Sequence, residues 1–423
     1  MYNVIILHSH DTGRMLSPYG APVDTPQLAR FAGESVRFSR AYCVSPTCSP
    51  ARGALFTGRY PHQNGLIGLA HFGFSLNAPT EHAAALLERA GYESVLCGIQ
   101  HETNAPRSLG YSRIMAAQPP TGDLVEKFTY TDRQNALDAA QFLRARSDSR
   151  PLFMTMGFFF PHRPFLPAAK PLDAVPCGMA DTPEVRSDVA DYARSVAYTD
   201  ENLGIVLQAL REGGYFDNSV ILYTTDHGPA FPQMKCTLRE SGTGISLLIH
   251  TPRTAPYVYN GAVTHLDILP TLCDLCGIDA PDGLPGCSLV PVLAGNAAPL
   301  HDYTFGEVNY HCCYEPQRSV RDGRYALIRY YDAGLPAALP NCDDSLSKTA
   351  YLREGLLGQP HRGVELFDTQ NDPTEQHTVA DDPAYAQVRA RLEAALDSWM
   401  RDTDDPLLRG DISAPAGATV YPR

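Results

Sequence analysis

The chain has 423 residues, of which 44% are hydrophobic and 19% charged, and its formal net charge is -13. That length can build one large α/β domain and a smaller one without disulfide staples. The acidic balance excludes a broad basic face, so no nucleic-acid partner is expected.

No basic stretch followed by an apolar one opens the sequence, and no apolar run is long enough to span a bilayer. A cytoplasmic protein with no membrane partner is therefore expected. The 11 cysteines follow no regular framework. Cys273 and Cys276 lie on an apolar run without a second pair at zinc spacing, which favours core packing over metal binding.

In chain order, residues 3–7 form a continuous apolar run of the kind that makes a buried parallel strand. It runs into His8, Ser9, His10 and Asp11. Side chains able to bind a metal thus stand at a strand's carboxyl end, where ligands gather in open α/β sheets. An ordinary hydrogen-bonded histidine is the alternative for His10. Residues 26–38 read as a helix feeding a short strand. Residues 45–65 follow, and a helix is expected over 51–56, with Pro50 where a first helical turn tolerates it. Cys48 then lies just outside a helix N-terminus, where backbone N–H groups favour an anion. Arg52 and Arg59 add positive charge nearby. A buried structural cysteine is the plainer reading.

Residues 81–90 have helical spacing and stop at Gly91, and residues 94–97 make the next strand, ending near His101. Residues 151–160 make another buried strand, ending at His162 and Arg163. As a third strand-end histidine, His162 is a candidate general acid, because imidazole titrates near ~6.5. Arg163 is a candidate contact for an anion. Residues 191–212 form a long amphipathic helix closed by glycines, and residues 219–223 a strand ending in Asp226 and His227, which by themselves read as a turn. Lys235, taken alone, reads as a solvated loop residue. Residues 245–250 form a strand, and residues 265–272 a structural helix.

The pattern changes over residues 291–300. Residues 318–321 and 325–331 alternate as an antiparallel hairpin with Asp322 and Gly323 at its turn. A helix over residues 383–401 follows, and a tail rich in Pro and Gly wraps the surface. Domains are expected over residues 1–300 and 301–423.

Cys48-Ser49-Pro50-Ala51-Arg52, followed by Thr57-Gly58-Arg59, resembles the signature of the type I sulfatases of the alkaline phosphatase superfamily. Asp226-His227-Gly228, and Glu365-Leu366-Phe367-Asp368 followed by Asp372, Pro373 and Glu375, extend the likeness over nearly the whole chain. The resemblance implies an α/β fold with a large mixed, mostly parallel sheet flanked by helices, and a smaller C-terminal α+β domain containing an antiparallel sheet. It implies a sulfuric ester or sulfamate hydrolase in which a formylglycine-generating maturase converts Cys48 to formylglycine. One divalent metal ion, calcium before manganese, magnesium or zinc, would be held by His10, Asp11, Cys48, Asp226 and His227.

The chain departs from the family pattern at His10, where the first of two aspartates is usual, and at Ile99, where many members carry a lysine before the histidine matching His101. In the implied roles the converted Cys48 attacks sulfur and His162 protonates the departing amine or alcohol. Lys235 and Arg52 balance charge on the sulfuryl group, and His101 helps sulfate leave. Softer residues, including His62-Gln63-Asn64-Gly65, Pro161-His162-Arg163 and Arg318-Ser319-Val320, are similar to the heparan N-sulfatase (sulfamidase) group, which implies a sulfated sugar of the N-sulfoglucosamine type. The alternatives are a carbohydrate or aryl O-sulfatase, a phosphonate or phosphate ester hydrolase, and a noncatalytic protein that holds an anionic sugar.

Overall fold

The computed structural model describes residues 2–423. The first nine strands are β1 (Asn3–Ser9), β2 (Val36–Tyr42), β3 (Glu93–Gly98), β4 (Arg113–Met115), β5 (Leu152–Gly157), β6 (Ser219–Thr225), β7 (Gly244–Ile245), β8 (Leu247–His250) and β9 (Tyr257–Thr264). They form one sheet in the order β4-β3-β5-β1-β6-β8-β2-β7, with β9 paired to β2. The stretch β4-β3-β5-β1-β6 is parallel throughout, and β8 runs antiparallel to both β6 and β2. The sheet is thus mixed and mostly parallel.

Every residue of β1 is buried, as expected of an apolar strand covered on both faces. Val4 and Ile6 face a core shared with Phe56, Leu87 and Leu272, whereas Ile5 and Leu7 face one shared with Phe31, Leu143 and Leu207. The register sets His8 beside Gly157 and Ser9 beside Thr225. The segments that leave β1, β3, β5 and β6 therefore emerge along one edge of the sheet, and all the strand-end histidines and aspartates meet there.

Three helices differ from expectation. Residues 183–212 are helical as Pro183–Glu212, two turns longer at the start than the apolar pattern shows, because Thr182 caps Val185 and proline occupies the first position. Leu124–Ala145 is a 22-residue helix in a stretch where no helix was expected, opened by Asp123 and Glu126, each side chain accepting from the other's backbone N–H.

The helix carrying the signature runs Cys48–Thr57 rather than 51–56, so Cys48 belongs to its first turn and does not precede it. All ten of its residues are buried. Ala51, Leu55 and Phe56 pack in a core of the large sheet, while Ala54 packs with Val320, Leu327 and Trp399 of the C-terminal part. Val320 and Leu327 belong to a second sheet, antiparallel in chain order: β10 (Thr304–Tyr310), β11 (Tyr314–Arg321), β12 (Tyr325–Tyr330) and β13 (Val364–Asp368).

Asp322 turns β11 into β12 by accepting from the N–H groups of Arg324 and Tyr325. The helix Ala386–Asp402 covers one face of this sheet with Leu392, Leu396 and Trp399. Arg318 is fully buried and makes a two-pronged pair with Asp405, at 2.5 and 2.9 Å. The tail bridges the two parts: Thr419 N donates to Phe72 O on the large-sheet side and Tyr421 N to Cys312 O between β10 and β11, both at 2.8 Å. Among the described residues no helix is long and apolar enough to cross a membrane.

Candidate active site

Asp226, just past β6, is the structural hub. Its Oδ1 accepts from the backbone N–H of Asp11 and of His227, both at 2.9 Å. Its Oδ2 accepts from Arg52 Nη2 at 3.0 Å, while Arg52 Nη1 lies 2.7 Å from His8 Nδ1. Arg52 is 1% exposed, so its guanidinium is committed to strand-end groups behind the site and does not reach the cavity. Burial works against the Asp226 carboxylate, but His227, Arg52 and His10 hold its pKa well below the usual range.

His10, Asp11, Cys48 and Asp226 each point one ligating atom inward, and these atoms all lie within 4.8 Å of one another. His10 Nδ1 is 3.1 Å from Asp226 Oδ2 and 3.7 Å from Asp11 Oδ1. His227 Nε2 is 3.3 Å from Asp11 Oδ1. None of these pairs has hydrogen-bond geometry, so both ring nitrogens of His10, Asp11 Oδ1 and His227 Nε2 are buried without partners. Buried polar atoms are ordinarily paired. His227 Nδ1 lies 2.9 Å from Gly228 O; a carbonyl only accepts, so Nδ1 holds the proton and the lone pair on Nε2 faces the carboxylates.

Lone pairs from imidazole and carboxylate converging on one point need a positive charge between them. A divalent cation fits that donor set, and protons are its only substitute. In the protonated alternative, burial opposes charge on both rings. The carboxylates outweigh it, raising His10 to about 10 and His227 to about 9.

Lys235 Nζ lies 3.2 Å from Asp11 Oδ2 and 3.2 Å from Asp343 Oδ2, buried rather than solvated. Burial opposes the Cys48 thiolate, but Lys235 and the neighbouring His10 and His101 bring its pKa well below the usual thiol value. The rings of His101 and His162 stand 4.7 and 5.1 Å from that of His10. His101 is held at φ +69° and Asp11 at φ +43°, backbone states costly for side-chain-bearing residues and frequent at functional sites. Burial lowers His101 to about 4, so its ring is neutral. His162 Nδ1 donates to Arg163 O at 2.6 Å, which leaves its Nε2 uncommitted.

Cys48, His101, His162 and Lys235 open into a cavity of about 780 Å³. Ile99 lines it with an apolar side chain and brings no cation. Arg163 does not supply one either. Its guanidinium forks onto Asp188 at 2.7 and 2.7 Å and lies over the ring of Phe165, away from the cavity. Arg59 pairs with Glu81 and the Asp282 carbonyl, likewise elsewhere. Among the lining residues that the sequence reading missed are His71, His311 and Asp343. His311 ends β10 and Asp343 sits in a loop after β12, and no local pattern announces that they fold back over Cys48.

Residues 2–278 match the family model described as sulfatase, and residues 234–339 match that of the N-sulphoglucosamine sulphohydrolase C-terminal region. Human N-sulphoglucosamine sulphohydrolase is 28% identical over an alignment covering 98% of this chain and 92% of that protein. Among solved structures, a 2-O GAG sulfatase superposes with TM-score 0.80 at 23% identity, covering 98% of this chain and 95% of that one. A chain solved in complex with its substrate D-glucosamine-2-N,6-O-disulfate superposes with TM-score 0.73 at 20% identity, covering 96% and 98%. Both structural likenesses bear on the fold.

Proposed function

The chain belongs to the sulfatase family and is a sulfuric ester hydrolase, and from that premise we propose that it releases inorganic sulfate from a sulfated sugar of the N-sulfoglucosamine type. The observation that carries this reading is the convergence of Cys48, His10, Asp11 and Asp226 within 4.8 Å at the floor of a cavity of sugar-binding size. The match of residues 234–339 to the N-sulphoglucosamine sulphohydrolase C-terminal model supports the choice of sugar.

Formylglycine at position 48, installed by a maturase, supplies the attacking hydroxyl of an aldehyde hydrate, and a divalent cation supplies Lewis acidity. His10, Asp11, Asp226 and His227 would hold the cation. Two carboxylates suit calcium, taken first, or magnesium, whereas two imidazoles suit manganese or zinc.

The protein's own groups have the following parts. Arg52 fixes the rotamer of Asp226 and keeps it ionised. Lys235, held between Asp11 and Asp343, offers its ammonium to the sulfuryl oxygens. His162, anchored through its Nδ1–H, acts in its imidazolium form, giving the second proton, on Nε2, to the leaving amine or alcohol. His101 stands beside position 48 to accept a proton there. Aromatic side chains on the cavity wall exclude water.

The test is an assay of sulfate release, by ion chromatography, from glucosamine N-sulfate, glucosamine 6-O-sulfate and p-nitrophenyl sulfate, with phenyl phosphonate esters in parallel. The fastest turnover is expected on the N-sulfate. Hydrolysis of phosphonates alone would overturn the reading.

A further inference from the structure

The chain has four lysines, and two of them, Lys127 and Lys235, line the cavity over Cys48, whose wall carries no arginine. Lys235 and Lys348 are both ion-paired. Lys127 forms no ion pair among the described residues. Its acidic neighbours are spent on the helix start. Asp123 Oδ1 accepts from Glu126 N at 2.9 Å, and Glu126 Oε2 accepts from Asp123 N at 3.3 Å. In a chain of net charge -13, a half-buried lysine on a cavity wall without a counter-ion is a binding group in need of an anion.

The surroundings indicate what brings that anion. Phe128, the next residue, stacks on Phe159 at 4.4 Å with 9° between the planes, and both rings line the cavity. The stacked pair gives the cavity an aromatic wall of the kind an apolar C–H face of a sugar packs against. Gln100, Thr103 and Asn104 add neutral hydrogen-bonding groups to the same cavity. The floor, with Lys235 and the ligand cluster, already serves the reacting sulfate. Lys127 comes from the helix Leu124–Ala145, which contributes no residue to that cluster.

Building on the sulfated-sugar reading above, we propose that Lys127 binds a second anionic substituent of the substrate, a carboxylate or a further sulfate carried on or next to the sugar whose sulfate is released. Lys127 is thereby a specificity-determining residue: it selects multiply anionic sugars over singly sulfated ones and takes no part in the chemistry.

The test uses the full-length matured enzyme and its Lys127→Gln and Lys127→Arg variants. Three substrates are compared: glucosamine N-sulfate, glucosamine N,6-disulfate, and N-sulfoglucosamine joined to a uronic acid. In Lys127→Gln the ratio of kcat/KM for a doubly anionic substrate over the singly anionic one is expected to fall about tenfold, through KM, as loss of one charge-assisted hydrogen bond implies. Lys127→Arg restores most of it. Whichever doubly anionic substrate shows the fall identifies the group as sulfate or carboxylate. An unchanged ratio for both, in a variant that melts like the wild type, overturns the proposal while leaving the sulfatase reading intact. Failure of the wild type to release sulfate from all three overturns the sugar reading and this proposal with it.

Discussion

Arg52, one turn along the helix from Cys48, donates to Asp226 Oδ2 at 3.0 Å and so ties the nucleophile's helix to the strand end bearing the central carboxylate. Both side chains are 1% exposed. Removing one partner of such a pair strands the other's charge in a dry site, at a cost of about 3–5 kcal/mol. Arg52→Ala is therefore expected to lower the unfolding free energy of the chelated protein by that amount, read as a shifted urea midpoint, and to abolish sulfate release. Arg52→Lys recovers little, because a point ammonium cannot span Asp226 and His8 together. A wild-type midpoint in Arg52→Ala would contradict the assignment.

The convergence of unpartnered lone pairs from His10, Asp11 and His227 predicts that a cation stabilises the fold. Chelated protein titrated with calcium, then manganese, should gain about 2.7 kcal/mol at 100 times the dissociation constant. His10→Ala should weaken binding by more than the roughly 10–100-fold typical of losing an outer-sphere partner. Calorimetry of chelated and titrated samples reads this directly. Identical melting in both would remove the metal from the account.

His162 is assigned to the leaving group, and that role has a kinetic signature. His162→Ala should lower kcat on sugar sulfates by about 10²–10⁴, the usual worth of a general acid. On p-nitrophenyl sulfate the loss should be far smaller, since nitrophenolate departs without a proton. Equal losses on both substrates would assign His162 to another task.

Asp132, on the helix Leu124–Ala145, accepts from the N–H groups of Phe159 and Phe160 at 2.8 and 3.0 Å and so fixes the turn leading to His162. Burial, partly offset by those hydrogen bonds, pushes its carboxyl up to about 7. Between pH ~4 and ~7 the folded protein then keeps a proton that the unfolded chain has released. The contribution is full below that window and is lost as pH rises through it, with a slope of about 1.4 kcal/mol per pH unit. Asp132→Asn should flatten the pH dependence of unfolding free energy by about that slope. Parallel wild-type and variant curves from pH 4 to 7 would show that Asp132 titrates normally.

Much of this architecture could be read from the sequence because its signals are local. A buried parallel strand is a continuous apolar run, and whatever follows it stands at the sheet's carboxyl edge, so His10, Asp11, His101, His162 and Asp226 were legible from their positions after such runs. The missed helix Leu124–Ala145 buries Thr131, Asp132, Asn135 and small alanines around Leu143, so its inward face does not read as apolar, and the Asp123 and Glu126 cap is the clearer mark of its start. Asp343 and His311 reach the cavity by tertiary folding of the C-terminal part, which leaves no trace in spacing. Arg163 looked available because nothing nearby in sequence announces Asp188, 25 residues on, as its partner. Charge in a sequence says that a group exists, and only the packed neighbours say whether it is already committed.

The account rests on position 48 being a converted cysteine beside a bound cation. The most direct measurement is mass spectrometry of the intact tryptic peptide spanning Cys48, from active protein coexpressed with a formylglycine-generating maturase, alongside the Cys48→Ala variant. The account predicts an aldehyde or its hydrate at position 48 and no sulfate release by the variant. A free thiol throughout an active preparation, or full activity in Cys48→Ala, would contradict it.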